Sequence, residues 1–363
     1  MTKKKIVIST GADDESTIEK KLDLAHKAII KKYGEVVFSL SDHEDMAIPT
    51  ISTGSLSIDN ALGNGGMGFG RIYEIFGPPG SGKSTLAVNV VIQAQRRKLR
   101  ALYVDAEHAV DPDLFRAYGV DTEKLKIVQG FDGEGNLDIL EHYIKTGAYS
   151  VAVVDSVSAL IPRDEAEDDI DKDHMALQAR LMSKALRKIT PIANQTNTLL
   201  IFINQLRLKI GSYGNPETTT GGEALPFYAT GRIAIRGPEA KSRRIIDASS
   251  GEVVGHKTEV EIVKNKLAAP FKKANINLIY GKGYDYHWET LDLATSLGVV
   301  DKAGSWYRYQ DENFANGELT AVSFFKDIKN HDMYKKIREE TLERTGLKEI
   351  YELHSNPSPK HPW

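Results

Sequence analysis

The hydrophobic positions in the middle of the chain fall into short runs that few polar residues interrupt, and most of these runs are followed by a polar residue. Segments 72–76, 101–104, 149–154 and 199–203 have the length and apolar content of strands that are buried on both faces. Segments 84–94 and 137–145 have helical spacing, and so does 176–195, although Pro191 interrupts it. Short apolar strands that alternate with helices predict an α/β fold built on a mostly parallel sheet.

Residues 1–49 have a different pattern, in which one amphipathic helix precedes one short strand. Apolar residues recur at helical spacing over 16–34, where Ser16 and Glu19 form an S-x-x-E capping box and Gly34 can end the helix. Residues 36–40 are a candidate strand. Two such elements bury little surface alone, so they pack either on the core or on another copy of the protein, and the pattern favours neither.

The turn between the first strand and its helix reads G-P-P-G-S-G-K-S, which fits the phosphate-binding pattern G-x-x-x-x-G-K-[ST]. Its glycines allow positive φ angles and a close approach of backbone N–H groups to phosphate oxygens, and the helix N-terminus adds partial positive charge. Lys83 would reach the terminal phosphates and Ser84 would ligate Mg²⁺. An accidental glycine-rich turn is the alternative, and the flanking strand and helix argue against it. The predicted nucleotide-binding residues of this turn are Gly77, Pro78, Pro79, Gly80, Ser81, Gly82, Lys83, Ser84 and Thr85.

Polar side chains follow the other predicted strands at the edge where a parallel sheet binds its ligands. Asp155 ends an apolar run and is predicted to hold Mg²⁺ opposite Ser84. Glu107 would activate the attacking water, with a structural ion pair as the alternative, and Asp105 is a second candidate base. Gln205 could sense the γ-phosphate through its amide.

Two predicted loops have no obvious core residues. Residues 163–174 are strongly acidic, which is the wrong sign for a DNA contact. Residues 207–222 combine Arg207 and Lys209 with glycines, threonines and Tyr213, a composition that suits phosphate contacts and base stacking. An ordinary surface loop is the alternative for this second segment.

Composition narrows the function classes. The formal net charge of -3 provides no global basic field, so nucleic-acid binding requires a local patch. The absence of cysteine excludes disulfides, thiolate catalysis and cysteine-type zinc sites, and it fits a cytoplasmic location. No signal peptide and no apolar stretch of membrane-spanning length is visible, so no membrane partner is expected.

Six separate blocks then resemble the bacterial RecA family in the same order along the chain. They are T-I-S-T-G-S-L-S-I-D-N-A-L-G (50–63), D-A-E-H-A-V-D-P (105–112), V-V-D-S-V-S-A-L (153–160), T-L-L-I-F-I-N-Q-L-R-L-K-I-G (198–211), G-N-P-E-T-T-T-G-G (214–222) and V-K-N-K-L-A-A-P-F-K (263–272). The resemblance spans about residues 17–335. It implies an α/β fold with a P-loop NTPase core of the RecA type and a mostly parallel twisted sheet (50–283), a small N-terminal helix–strand segment for polymerisation (1–49) and a small α+β C-terminal domain (284–363).

The function that the resemblance implies is a DNA-dependent ATPase of recombination and repair. Such proteins use ATP and Mg²⁺, form helical homo-oligomeric filaments on single-stranded DNA, exchange that strand with homologous double-stranded DNA, and can promote self-cleavage of a LexA-like repressor in the SOS response. The N-terminal helix and strand would dock on the next subunit. Other readings are a filament whose main output is repressor cleavage, and another RecA-fold motor such as a hexameric helicase or a RadA-like protein.

The resemblance also assigns residues. Glu107 and Lys83 would be catalytic, Gln205 would be the nucleotide switch and Asp111 would lie near the adenine. Lys264 and Lys266 would reach the ATP of the neighbouring subunit, although the pattern alone makes them alternating residues on one strand face. The resemblance makes the acidic segment 163–174 the first DNA-binding loop of the core and residues 207–222 the second. The implied DNA contacts are Arg180, Arg207, Lys209, Gly211, Tyr213, Thr220, Gly221 and Gly222.

The chain departs from the family pattern at several of these places. Pro79 and Gly80 stand where Glu-Ser is usual, and Pro226 replaces a lysine that the family places beside Phe227. Leu114 stands where an aromatic residue is expected against the adenine, and the acidic segment 163–174 lacks the usual glycines. The C-terminus lacks an acidic tail. Such divergence is typical of a phage- or plasmid-borne member.

Overall fold

The computed structural model describes residues 15–34, 37, 48–168, 176–208, 217–237, 243–247, 250–348, 350 and 351. The chain divides into two units, residues 1–48 and residues 49–363, and each is considered by itself. The predicted strand at 36–40 has only Val37 among the described residues.

The four helices that the periodicity predicted, over 16–34, 84–94, 137–145 and 176–195, are present with ends within four residues of the predicted ones, and the structure has further helices that it did not predict. The described helices are α1 (Glu15–Tyr33), α2 (Leu56–Leu62), α3 (Lys83–Arg96), α4 (Pro112–Tyr118), α5 (Gly133–Lys145), α6 (Arg163–Glu167), α7 (Leu177–Gln195), α8 (Ala224–Tyr228), α9 (Tyr286–Ser296), α10 (Glu318–Lys326) and α11 (His331–Thr345). Short 3₁₀ turns occupy Val157–Ala159 and Ile328–Asn330.

The described strands are more numerous than the apolar runs in the sequence. They are β1 (Thr50–Ile51), β2 (Met67–Gly68), β3 (Ile72–Gly77), β4 (Ala101–Asp105), β5 (Lys126–Val128), β6 (Val151–Asp155), β7 (Leu199–Leu208), β8 (Glu217–Thr219), β9 (Gly231–Arg236), β10 (Arg244–Ile246), β11 (Val253–Asn265), β12 (Lys273–Ile279), β13 (Gly283–Tyr284), β14 (Asp301–Ala303), β15 (Trp306–Tyr309) and β16 (Glu312–Asn316).

A large sheet organises the second unit, and the predicted α/β fold is confirmed. Among the described residues its strands follow the order β13-β12-β11-β9-β3-β7-β6-β4-β5, with β10 on β11 and β8 on β7. Along this order each strand from β9 to β5 is parallel to the next one. The pairs β9–β11, β11–β12 and β12–β13 are antiparallel. The phosphate-binding turn follows β3, so it lies in the middle of the sheet.

The central strands read as continuous apolar runs because both of their faces are covered. Alternate residues of β3 and β6 belong to two different apolar clusters: Tyr73 and Val153 pack with α3, whereas Ile72 and Val154 pack with α5 and α7. Burial on both faces is typical of parallel sheets in α/β proteins. The phosphate-binding loop therefore leaves a strand that is held from both sides.

Several predicted boundaries were wrong, and the pairing of β7 with β8, which the sequence pattern did not predict, explains the largest difference. Strand β7 runs to Leu208 rather than ending at residue 203, because Leu206 and Arg207 pair antiparallel with Thr219 and Thr218 of β8. Residues 163–167 of the acidic segment are helical rather than a loop. Ser16, the predicted N-cap, lies inside α1, which already includes Glu15.

The C-terminal residues form a separate apolar cluster, in which Trp288, Tyr307, Phe325 and Ile337 are buried. A second, smaller cluster joins Leu56 of α2 to Leu293, Leu342 and Leu347. The part of the chain after residue 283 thus has its own core and a shared contact with the part that contains the large sheet. The division at residues 283 and 284 stays a prediction.

Two buried carboxyl groups also lie at this shared contact. Asp59 accepts hydrogen bonds from Ser52 Oγ (2.5 Å), Thr53 Oγ1 (2.7 Å) and Tyr351 OH (2.6 Å). Glu289 of α9 accepts hydrogen bonds from Ser55 Oγ and from the backbone N–H of Ser57. Burial raises the pKa of Asp59 to about 6 and that of Glu289 to about 7, and these hydrogen bonds only partly oppose the rise.

This pair predicts that stability falls as the pH rises through the acidic range. Because both pKa values are raised from 3.8 and 4.5, the folded protein binds more protons than the unfolded chain up to pH 6 and 7. The stabilisation is complete below the unfolded pKa values and is lost as the pH passes the folded ones. The variant Asp59→Asn/Glu289→Gln should flatten this fall by up to ~1.4 kcal/mol per pH unit for each carboxyl group.

The measurement is the free energy of unfolding by urea at several pH values between the unfolded pKa values of 3.8 and 4.5 and the folded values of about 6 and 7. The exposed Asp301→Asn is the control and should keep the wild-type slope. A double variant whose stability falls as steeply as that of the wild type would contradict the assignment.

Candidate nucleotide site and DNA-facing residues

The phosphate-binding turn has a backbone that requires glycine at defined positions. A Cβ atom on Gly77 would lie 2.2 Å from the Ile235 carbonyl oxygen, so no larger residue fits where β3 ends. Gly80 and Gly82 have φ angles of +69° and +99°, in the left-handed region that glycine adopts without strain. The turn leads directly into α3, which begins at Lys83. The backbone therefore has the form that the phosphate-binding pattern predicts.

The polar groups of the turn fit an anionic ligand. The Ser81 hydroxyl is buried and has no hydrogen-bond partner among the described residues. Lys83 Nζ donates to the Pro78 carbonyl oxygen at 2.8 Å, folding back over the turn. Burial lowers the Lys83 pKa, and the nearby charges of Asp155 and Glu107 act in the opposite direction. A half-buried ammonium and an unpaired hydroxyl beside a helix N-terminus are complementary to phosphate.

Ser84 and Asp155 meet although they are far apart in the sequence. The Ser84 hydroxyl donates to Asp155 Oδ2 at 2.8 Å, and the Tyr103 hydroxyl donates to the same oxygen at 2.6 Å. Burial raises the Asp155 pKa, while these two hydrogen bonds lower it. Hydroxyl and carboxylate oxygens are the hard donors that Mg²⁺ prefers, so the pair fits that ion. Tyr103 was missed by sequence reasoning, although a hydroxyl inside an apolar run was a usable signal.

Glu107 is exposed in the turn after β4, and a residue that follows the neighbouring strand β6 orients it. Ser156, which follows β6, donates its hydroxyl to Glu107 Oε1 at 2.5 Å. Asp105 is in a different position, because its carboxylate accepts hydrogen bonds from the backbone N–H groups of Ala109 and Val110 and from Gln129 Nε2. Asp105 therefore holds the turn that carries Glu107, which argues against its use as an alternative base.

Gln205 lies beside the phosphate-binding turn through strand pairing. Its Cα is the register partner of Gly77 in the parallel pair of β3 and β7. Its side-chain Oε1 accepts a hydrogen bond from Arg207 Nη2 at 3.3 Å, and its backbone N–H donates to Asn204 Oδ1 at 2.9 Å. The structure therefore connects the predicted switch residue both to the nucleotide turn and to a predicted DNA contact.

Asp111 caps the N-terminus of α4, where its carboxylate accepts hydrogen bonds from the backbone N–H groups of Asp113 (2.8 Å) and Leu114. This cap fixes the start of the short helix that follows the Glu107 turn. The predicted contact of Asp111 with an adenine stays a prediction. Leu114 is exposed at the same helix, and Phe115 packs into the core against Tyr103.

Lys264 contacts its own chain at α8. Its Nζ donates to the carbonyl oxygens of Pro226 (2.7 Å) and Phe227 (3.0 Å), at the end of that helix. Burial lowers the Lys264 pKa, and the positive charges of Lys266 and Arg232 lower it further. Lys266 follows the last residue of β11, and the strand has a register shift between Ile262 and Lys264, so the expected simple alternation was wrong.

The predicted DNA contacts are only partly within the described residues. Arg180 is exposed on α7 and Arg207 is exposed on β7. Gly221 and Gly222 are packed tightly, because added Cβ atoms would lie 2.9 Å from Val157 Cγ1 and 2.8 Å from Ala179 Cβ. The Thr220 carbonyl oxygen accepts a hydrogen bond from Asn204. Lys209, Gly211 and Tyr213 lie outside the described residues, and so do residues 169–174 of the acidic segment.

No helix in the described part of the chain is long and apolar enough to cross a membrane.

Comparison with known proteins identifies the family. The family model "RecA N-terminal domain" matches residues 20–285, and the model "RecA C-terminal domain" matches residues 289–346. Protein RecA of Desulforapulum autotrophicum is 45% identical over 344 residues, which cover 94% of this chain and 95% of that protein. Protein RecA of Bacillus subtilis is 42% identical over 328 residues, covering 90% and 92%. Protein RecA of Lactobacillus acidophilus is 43% identical over 330 residues, covering 90% and 89%. The chain therefore belongs to the RecA family of ATP-binding, filament-forming recombinases, which are DNA-dependent ATPases.

Proposed function

We propose that this member of the family hydrolyses ATP at the turn 77–85 while it is assembled on single-stranded DNA, and that it pairs the bound strand with homologous double-stranded DNA. The observation that supports this site is that four neighbouring parallel strands bring their polar residues together. The turn after β3, Glu107 after β4, Asp155 at the end of β6 and Gln205 in β7 lie at the same edge of the parallel sheet. Ligands of open α/β sheets bind at this edge.

Each residue has a chemical role in the proposal. The backbone N–H groups of the turn and Lys83 bind the phosphates, and Ser84 and Asp155 hold Mg²⁺. The ion, when bound, neutralises charge on the phosphates. Glu107 accepts a proton from the attacking water, and the Ser156 hydroxyl orients its carboxylate by donating to Oε1. Asp111 places α4 beside the adenine through its N-cap hydrogen bonds.

The active site is completed by a neighbouring subunit in this proposal. Lys264 and Lys266 reach the ATP of the next subunit and stabilise negative charge on the transferred phosphoryl group, as an arginine finger does. Lys264 of β11 donates a hydrogen bond to the carbonyl oxygen of Phe227 in α8, and the Phe227 side chain is 75% exposed and available for a subunit contact. Taken by itself, α1 buries none of its residues, so its apolar side chains need a surface such as the adjacent subunit.

DNA is bound in the proposal by the segment that joins β7 to α8, together with Arg180. Arg207 contacts phosphate and is also hydrogen-bonded to Gln205, so one residue touches both the DNA and the switch. Lys209, Gly211, Tyr213, Thr220, Gly221 and Gly222 supply the other contacts. The acidic segment 163–174 contributes little, because its carboxylates repel phosphate.

The test is ATP hydrolysis by the full chain with and without single-stranded DNA, together with strand exchange between a circular single strand and homologous linear duplex. We expect DNA to stimulate hydrolysis and the exchanged product to form. DNA-independent hydrolysis without exchange would contradict the proposal, and unwinding of forked DNA without exchange would favour the helicase reading. The same filament is the species that would promote self-cleavage of a LexA-like repressor, so adding one to the assay tests that partner.

A further inference from the structure

A central strand of the sheet carries a charged residue that is fully buried. Glu74 lies in β3, three residues before the phosphate-binding turn, and its side chain is 0% exposed. Its Oε2 accepts a hydrogen bond from Arg232 Nε at 2.6 Å, and its Oε1 accepts one from Asn204 Nδ2 at 2.9 Å. A buried carboxylate is costly unless it is paired and hydrogen-bonded, so these two partners account for its presence.

Asn204 is the residue at which this carboxylate meets the switch. It is 0% exposed, and its side-chain amide makes hydrogen bonds to three different segments. Oδ1 accepts from the backbone N–H of Gln205, and Nδ2 donates to Glu74 and to the carbonyl oxygen of Thr220, each at 2.9 Å. One amide therefore joins β3, the main chain of the switch residue and the chain that follows β8.

We propose that Asn204, held in place by Glu74, is a positioning residue that couples Gln205 to the DNA-binding segment. This inference rests on the proposed function, in which Gln205 responds to the nucleotide. A displacement of the Gln205 main chain displaces the Asn204 amide, because the two share a hydrogen bond. The same amide carries the displacement to Thr220 through its other end.

The chain at Thr220 is built to transmit such a displacement. Gly221 and Gly222 leave no room for a Cβ atom against Val157 and Ala179, so this end of the segment is packed rather than loose. Asn204 donates its hydrogen bond to the Thr220 carbonyl oxygen. The Thr220 hydroxyl is buried without a hydrogen-bond partner among the described residues.

Glu74, Asn204 and Arg232 form one hydrogen-bonded cluster, and Arg232 lies on the side of the proposed subunit contact. Arg232 lies over the Phe76 ring, with 4.7 Å between its Cζ and the ring centroid, and it is the register partner of Lys264. The charges of Arg232 and Glu74 both act on Lys264. Glu74 thus lies between the switch residue and the lysine that we assign to the neighbouring ATP.

If the cluster only stabilises the fold, restoring stability should restore the coupling as well. Exchanging the side chains of positions 74 and 204 separates stabilisation from coupling. The variant Glu74→Gln/Asn204→Asp keeps one carboxylate and one amide in the cluster, so it preserves the net charge beside Arg232. The substitution at position 204 keeps an acceptor for the Gln205 N–H but removes the donor to Thr220. Stability should therefore recover in the exchanged pair while the coupling does not.

The experiment measures two quantities besides thermal unfolding. One is the ratio of ATP hydrolysis rates with and without single-stranded DNA. The other is the ratio of affinities for a fluorescent single-stranded oligonucleotide in the presence of a slowly hydrolysed ATP analogue and of ADP. For the exchanged pair we expect a midpoint of unfolding above that of Asn204→Asp alone, which would leave two carboxylates facing each other, whereas both ratios fall by about fivefold or more, the usual size of a coupling between sites.

Two further variants serve as controls. Glu74→Gln alone keeps an acceptor for Asn204, so it should lower the unfolding midpoint but keep most of the DNA stimulation. Asn277→Asp tests the effect of a new buried carboxylate in β12, away from Gln205, and should leave both ratios unchanged. If the exchanged pair does not fold, the uncharged Asn204→Ser replaces it and should show the same loss of both ratios.

Recovery of both ratios together with stability in the exchanged pair would overturn the inference, as would wild-type ratios in Asn204→Ser. Failure of the proposed function gives a different result, because single-stranded DNA would then not stimulate ATP hydrolysis even by the wild type.

Discussion

Replacing Lys264 with alanine should lower DNA-stimulated ATP hydrolysis by about 10³-fold or more, the effect of removing a cation that stabilises phosphoryl-transfer charge from outside the subunit. The physical reason is that the lysine places positive charge at the neighbouring ATP, and Lys266, the second lysine of the proposal, keeps its own position and does not fill the one that is lost. The measurement is the steady-state rate of hydrolysis at saturating single-stranded DNA and ATP.

The control is Lys273→Ala, which removes a lysine in β12 that makes an exposed ion pair with Glu259. A surface pair of this kind contributes little, so the rate should stay near that of the wild type. Lys264 also holds the Pro226 and Phe227 carbonyl groups of its own chain, so filament length is measured in parallel. Short filaments with a normal rate per bound subunit would mean that Lys264 acts only through α8.

The substitution Glu107→Gln should lower ATP hydrolysis by about 10² to 10⁴-fold, the usual contribution of a general base. The amide keeps the size of the side chain and can still accept the Ser156 hydrogen bond, but it accepts no proton from water at neutral pH. ATP binding should be retained, because the phosphate-binding turn is unchanged. Single-turnover hydrolysis and the affinity for a fluorescent ATP analogue measure the two effects separately.

The matched control is Glu123→Gln, which neutralises an exposed carboxylate between α4 and β5. Its hydrolysis rate should equal that of the wild type. If Glu107→Gln hydrolyses ATP at the wild-type rate, the carboxylate has only a structural role and the base lies elsewhere.

Mixing the two variants tests whether one active site contains residues of two subunits. In a filament assembled from equal amounts of Lys264→Ala and Glu107→Gln, some interfaces combine the intact Glu107 of one variant with the intact Lys264 of the other. Random assembly through head-to-tail contacts makes roughly a quarter of the interfaces of this kind, so hydrolysis should rise well above that of either variant alone. A mixture no more active than its components would place both residues in the same subunit's site.

The pattern of the sequence alone determined the central part of this protein. The phosphate-binding turn, the apolar strands and the helices between them were predictable, because local periodicity and glycine chemistry decide them. The polar ends of β4 and β6 were enough to select Glu107 and Asp155, since parallel strands present their carboxyl ends at one edge. The matched blocks then identified the family before any contact was known.

The tertiary structure decided which distant residues touch. Antiparallel pairing with β8 lengthened β7 and placed Arg207 in a strand, and nothing local in the sequence predicted that pairing. Tyr103 joined the Ser84 and Asp155 pair only because β4 and β6 lie side by side. Periodicity reports which face of an element is buried but not which buried polar group it meets.

The buried charges show most clearly that tertiary structure, and not the local sequence, decides which residues meet. The sequence showed Glu74 as a charged residue inside an apolar strand, but its partners Asn204 and Arg232 lie 130 and 158 positions away. Likewise Glu289 meets Ser55 across 234 positions. A buried charge is tolerated only where hydrogen-bond donors converge on it, and that convergence is a property of the packed sheet and helices rather than of any local stretch of chain.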